Sequence, residues 1–276
     1  MYTQLEQRGM SEPPVNVAIL RQMKAGGTPI ASLTAYDASF AALVDAAGTD
    51  LVLVGDSLGM VIQGHHTTVP VTVSDVIYHT RNVARGLRRA FLVSDMPFMS
   101  YTTPDQALRN AVQLMQEGGA MMIKLEGGEG QLDIVQHLGR HDIPVCAHVG
   151  LKPQSVHKIG GFKVQGRDPD AALKMIDDAK RLQDAGADLM LLECVPNELG
   201  KAITQALEVP VIGIGAGPDV DGQILVLYDM LGITRGKTPR FVRNFMVGLD
   251  SPGDALAAYV RAVRERSYPA PEHCFS

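Results

Sequence analysis

Short, nearly uninterrupted apolar runs recur along the chain: PIASLTA (29–35), LVLVG (51–55), AFLVS (90–94), AMMIK (120–124), PVCAHV (144–149), LMLLE (189–193), PVIGIG (210–215) and ILVLY (224–228). Near-continuous hydrophobicity, rather than period-two alternation, marks strands buried on both faces of a helix-covered parallel sheet. Segments of helical character separate most of them, at 38–47, 74–88, 104–117, 169–185 and 196–207. Pro104 and Asp105 suit a helix start, and Gly118 and Gly186 suit helix ends. Eight strands alternating with helices predict an α/β protein, a (β/α)8 TIM barrel. The expected organisation is one domain over 1–276, with an N-terminal helical extension and a C-terminal helix and tail. An open doubly wound sheet is the alternative, weakened because no Gly-x-Gly-x-x-Gly follows the first strand.

Composition changes this picture little. The 276 residues are 46% hydrophobic and 20% charged, ordinary for a soluble protein with a sizeable core. Trp is absent, so Val, Leu, Ile, Ala and Met must fill that core. A net charge of −5 argues against nucleic-acid and anionic-membrane partners. Arg85, Arg88 and Arg89 read as a solvated helix face. Two of the three cysteines sit in apolar runs, as reduced cytosolic thiols do. MYTQLEQRGM lacks the apolar centre of a secretion signal, and nowhere do 18 apolar residues run together. A cytoplasmic location is expected.

In a barrel, residues at the C-terminal ends of the strands converge on one pocket. Those positions hold Asp56, Asp95, Lys124, Glu126, His148 and Glu193. Asp56, Asp95 and Glu126 form an all-oxygen set suited to Mg2+, which takes one or two carboxylates and keeps substrate and water oxygens. Zinc spacing of Cys and His is missing. Lys124 and Glu126 alternate on one strand and point the same way. The lysine reads either as a fixed charge for a substrate carboxylate or as a neutralising salt bridge. His148 reads as a hydrogen-bond partner of such a site, a proton carrier, or a satisfied core histidine. Glu193 closes a greasy strand, where an unpaired carboxylate is costly and its pKa rises. Cys194 is expected to point into the wall, and His65 and His66 to decorate a loop. GIGAG (213–217) reads equally as a phosphate loop or as glycines for tight packing. The polar stretch 152–167 follows the fifth strand and is expected over the mouth, as a cover or a plain surface loop.

The stretches TAYDASFA, LVGDSLGMVIQGH, TVPVTVSDVIYHT, SDMPFMSY, IKLEGG, GLKPQSV, GGFKVQGR, LLECVP, PVIGIGAG and DGQILV run in that order along most of the chain. Together they resemble the ketopantoate hydroxymethyltransferase family. The resemblance implies a barrel of the phosphoenolpyruvate/pyruvate superfamily type, a Mg2+ requirement, and 5,10-methylenetetrahydrofolate as donor to 3-methyl-2-oxobutanoate. By motif, Asp56 and Asp95 match metal-binding carboxylates, and Glu126 matches a third acidic position. Ser57 and Lys124, beside Asp56 and Asp95, match the positions that hold the 2-oxo acid; Glu193 matches the general base. A homodecamer is implied as well. The sequence departs at Lys152, where Thr is expected, and at Ala147, where Gly is common. Mg2+-dependent carbon–carbon lyases of the isocitrate lyase superfamily are the alternative, but their Lys-Lys-Cys-Gly-His stretch is absent.

Overall fold

The structure, a computed structural model, describes residues 13–236 and 238–276. The reading of the first ten residues, and of any helix among them, lies outside that range. Eight parallel strands close in sequence order into a barrel: β1 (Ile30–Thr34), β2 (Leu51–Val54), β3 (Phe91–Asp95), β4 (Met122–Glu126), β5 (Val145–Gly150), β6 (Leu189–Glu193), β7 (Val211–Ile214) and β8 (Gly222–Leu225). The seam closes where Ile30 of β1 pairs with Gly222 of β8. A Cβ at Gly222 would lie 2.4 Å from the Ile30 carbonyl oxygen, so only glycine permits this approach.

The principal helices are α1 (Val17–Ala25), α2 (Ala38–Ala46), α4 (Val73–Gly86), α5 (Pro104–Gln116), α6 (Leu132–Gly139), α8 (Pro169–Asp184), α9 (Asn197–Ala206) and α11 (Pro252–Arg264). Short helical turns α3 (Leu58–Val61), α7 (Val156–Ile159) and α10 (Leu227–Met230) lie in the loops after β2, β5 and β8. Local chemistry sets many of the starts. Thr103, Asp168 and Ser251 each accept a backbone N–H with their side chain and precede a proline in the first helical turn. Thr72 and Asp75 form a reciprocal capping box at α4. None of the described helices is long and apolar enough to cross a membrane.

Three expectations shift. The fourth strand begins at Met122, not 120, because Gly119 (φ +84°) rather than Gly118 makes the turn out of α5. The last strand begins at Gly222 and ends before Leu227, which opens α10. Finally, α4 stops at Gly86, so Arg88 and Arg89 lie beyond it. Arg89 is not a purely solvated charge, since its Nη2 donates to buried Asp50 at 3.0 Å.

Inside the barrel, Leu51, Leu53, Val93, Cys146, Leu189, Leu191, Ile212 and Ile224 surround a void of only about 10 Å3 beneath Lys124. The interior is therefore a packed core rather than a pore. Chemistry is confined to the end where the strands finish.

Candidate active site

Above that core, at the C-terminal ends of the strands, opens a cavity of about 770 Å3. Asp56, Ser57, Asp95, Lys124, Glu126, His148 and Glu193 all line it. The sequence-predicted set is thus brought together without exception. The pleat explains the economy of β4: Lys124 and Glu126 face the cavity while Leu125 between them is fully buried.

Hydrogen bonds fix the floor. Asp95 accepts the Asp56 N–H at 3.0 Å through Oδ2 and pairs with the Lys124 ammonium through Oδ1. Gly55 makes this turn possible, because a Cβ there would stand 2.9 Å from Ser57 Oγ and 3.3 Å from Asp95 Oδ2. Ser57 Oγ lies 2.8 Å from the Tyr36 hydroxyl. His148 stands between two carboxylates, with Nδ1 3.6 Å from Glu126 and Nε2 3.5 Å from Glu193. Both distances are too long for hydrogen bonds.

The charge balance is lopsided: Asp56, Asp95, Glu126 and Glu193 share one floor lysine. Burial, then repulsion from Asp95, pushes Asp56 up to about 7, while Lys124 and Gln154 offset part of the rise. Burial also raises Glu193 to about 8; Lys124 opposes this, and Asp56 and Asp95 add to it. Glu126 rises well above the usual carboxylate range, by burial first and against the pull of Lys124. Burial alone would lower the Lys124 pKa, yet Asp95, Glu126 and Asp56 outweigh it and carry the ammonium above its ordinary range. His148 is driven well below its usual value by burial and by Lys124. It is therefore a neutral imidazole, and its approaches to Glu126 and Glu193 are polar contacts rather than ion pairs. Glu126 Oε1 and both His148 ring nitrogens are buried without a hydrogen-bond partner. Unpartnered buried polar atoms facing a cavity mark a place where a ligand supplies the partners.

The donor chemistry suits a hard cation. Among the described residues no three His, Cys, Asp or Glu side chains form a ready-made metal cage. Mg2+ needs none, since it is held by one or two carboxylates and completed by water and substrate. Asp56 and Asp95, side by side on a cavity wall, fit that requirement.

Several features were not foreseen. Gln154, buried in the loop after β5, donates Nε2 to Asp56 Oδ2 at 2.8 Å and to the Met96 carbonyl at 2.9 Å. Its backbone N–H reaches Glu126 Oε2 at 3.2 Å, and its Oε1 accepts the Tyr101 hydroxyl at 2.6 Å. Stretch 152–167 thus anchors the acidic floor at Gln154 and borders the cavity with Phe162 and Lys163. Only the quoted Lys-Pro-Gln-Ser string signalled this. His65 and His66 also border the mouth. Cys194 is buried as expected but lines the cavity instead of pointing into the wall. Its φ of +49° breaks the strand alternation on which that expectation rested. In GIGAG, a Cβ at Gly215 would meet the Phe241 ring at 2.7 Å, and one at Gly217 would meet Asn197 at 2.6 Å. Packing accounts for these glycines.

Comparison with known proteins gives one answer at the level of sequence. The family model described as ketopantoate hydroxymethyltransferase matches residues 14–271. The 3-methyl-2-oxobutanoate hydroxymethyltransferase of Alkalilimnicola ehrlichii is 60% identical over 262 residues, spanning 95% of this chain and 95% of the relative. That of Nitrosococcus oceani is 59% identical over 250 residues, 91% of this chain and 95% of the relative. Solved structures share the fold at low identity. A putative phosphonomutase from Burkholderia cenocepacia aligns with a TM-score of 0.61 at 17% identity, over 78% of this chain and 94% of that one. A 2,3-dimethylmalate lyase, a PEP mutase/isocitrate lyase superfamily member, aligns with 0.56 at 15%, over 78% and 79%. The lyase likeness is therefore one of architecture, and by sequence over nearly its whole length the chain belongs to the ketopantoate hydroxymethyltransferase family.

Proposed function

We propose that the protein transfers a hydroxymethyl group from 5,10-methylenetetrahydrofolate to 3-methyl-2-oxobutanoate, giving 2-dehydropantoate, with Glu193 as the base. The observation that carries this reading is Glu193 itself. It is a carboxylate at the end of an apolar strand, raised to about 8, facing the cavity that Asp56, Asp95 and Lys124 also line. A base tuned near the working pH removes a proton most effectively.

The C3 proton of the keto acid lies next to a carbonyl. Glu193 takes that proton, and the C–H electron pair moves toward the 2-oxo oxygen. Asp56 and Asp95 would hold Mg2+, which when bound acts as a Lewis acid toward oxygen. Lys124, kept cationic by its acidic neighbours, holds the substrate carboxylate, with Ser57 beside it. A lysine in this state is a poor imine former, so no Schiff base is expected. The C3 carbon then bonds to the folate methylene carbon as one of that carbon's two bonds to nitrogen breaks. Water displaces the second nitrogen and supplies the hydroxyl, and the two freed nitrogens take up the C3 proton and one proton from water. Neutral His148, 3.5 Å from Glu193 and unpartnered, is the polar neighbour that can hydrogen-bond the base once substrate tightens the site. Around this chemistry the reading takes 1–276 as one catalytic domain, cytoplasmic and assembled as a homodecamer, which sedimentation velocity checks.

The test omits folate. In D2O with Mg2+, wild-type protein should exchange the C3 hydrogen of the keto acid for deuterium, visible by proton NMR. Glu193→Gln should stay folded and exchange far more slowly. Equal exchange by the two proteins would remove Glu193 from the role.

A further inference from the structure

We infer that the rim of the cavity binds the glutamate tail of the folate co-substrate, with Lys163 and Arg235 taking its carboxylates; the inference rests on the proposed one-carbon transfer. Size comes first. A cavity of about 770 Å3 lies in the range that encloses a drug-sized ligand, far more than a five-carbon keto acid fills. The keto acid's partners are all on the floor, so the upper volume belongs to something else.

Charge is sorted along the same axis. The floor carries Asp56, Asp95, Glu126 and Glu193, whereas the outer lining carries the exposed cations Lys163, Arg235 and Arg240. Their charges are not spent on protein carboxylates. Among the described residues the Lys163 ammonium donates only to the Ile159 carbonyl oxygen, at 3.4 Å, and Arg240 donates Nε to the Glu272 carbonyl oxygen at 2.9 Å. Arg235 has no hydrogen bond or ion pair among the described residues. Asp229, the one further acid among the described lining residues, is buried and accepts the Thr234 hydroxyl at 2.6 Å. Between floor and rim the lining is aromatic: Phe162, about half exposed, with Phe241 and Phe275 packed over Gly215. Flat rings offer a face for a flat heteroaromatic body. A ligand with a reactive end, a flat middle and an anionic tail meets this order of surfaces. A methylene-bearing pteridine with γ-linked glutamates is such a molecule, and each added glutamate brings one more carboxylate.

The test compares the Michaelis constant for donors carrying no glutamate, one glutamate and three. Wild-type protein should favour the triglutamate over the pteroate form by roughly tenfold, as two or three exposed ion pairs allow. The preference should shrink as salt is raised. Lys163→Gln combined with Arg235→Gln should reduce it to about twofold or less, while Lys163→Arg with Arg235→Lys should keep it. Both positions are exposed, and thermal melts verify that the variants fold. Wild-type indifference to glutamate number, or a preference that survives the glutamine pair, overturns the inference. The underlying reading fails separately: wild-type protein that does not exchange the C3 hydrogen without folate overturns that reading, whatever the rim does.

Discussion

The two ends of the barrel treat their acids in opposite ways. Asp50, Asp188 and Asp221 stand just before β2, β6 and β8, at the bottom. Each accepts both a cation and a backbone N–H. Asp50 takes Arg89 and Arg264 together with the Ala31 N–H. Asp188 takes Arg21 and the Val145 N–H, and Asp221 takes Lys24 and the Val211 N–H. At the top, Asp56, Asp95, Glu126 and Glu193 compete for Lys124. The lower acids fasten α1 and α11 across the base of the barrel. Of the upper four, Asp95 takes the Lys124 ammonium and the Asp56 N–H, which leaves Asp56, Glu126 and Glu193 without a cation of their own, a tension that substrate and cation relieve. A buried acid that is fully answered by the protein is structural, and one left unanswered in a cavity is where a ligand goes.

Glu193→Gln should cost turnover about 10²–10⁴-fold while leaving the melting temperature unchanged or higher. A melt that falls as steeply as activity would break the comparison. Its pH dependence follows from a pKa of about 8. The base works only when deprotonated, so the folate-free exchange should fall about tenfold per pH unit below 8 and level off above it. Stability runs the other way. A raised folded-state pKa means the charged form is disfavoured, so stability without metal should decline as pH climbs from about 4.5 to about 8, and Glu193→Gln should flatten that slope.

At the bottom, Asp50→Asn should leave two guanidinium groups facing a neutral amide. Because both keep partial water, the expected loss is about 3 kcal/mol, the low end for a broken buried pair. In a chain of this size that lowers the melting temperature by about 10 °C, with keto-acid exchange per folded molecule preserved. Gln154→Ala cuts the tie between the covering stretch and Asp56. Turnover should drop about 10-fold, with roughly 1–2 kcal/mol of stability lost to the stranded partners; a larger stability loss than activity loss would make Gln154 a bottom-type residue. The smallest effect belongs to Arg21→Ala. Its pair with Asp188 is half exposed, so thermal melts should register less than about 1 kcal/mol.

The sequence by itself determined the alternation of strands and helices, because strands buried on both faces must be apolar throughout and helix caps are local chemistry. It determined the strand-end positions of Asp56, Asp95, Lys124, Glu126, His148 and Glu193 too, because a parallel barrel sends every strand end to one place. What it missed was non-local. Gln154 meets Asp56 across 98 residues of sequence separation, and no spacing rule reaches that far. The inward placement of Cys194 depends on a single left-handed residue, which strand alternation cannot foresee. Arg89 read as surface until the barrel brought Asp50 beneath it. The pKa order belongs to the tertiary structure alone. How far burial raises a carboxylate depends on how many opposite charges the fold brings within reach, and the chain order of Asp50 and Asp56, six residues apart, gives no hint that one meets two guanidinium groups while the other shares a single lysine.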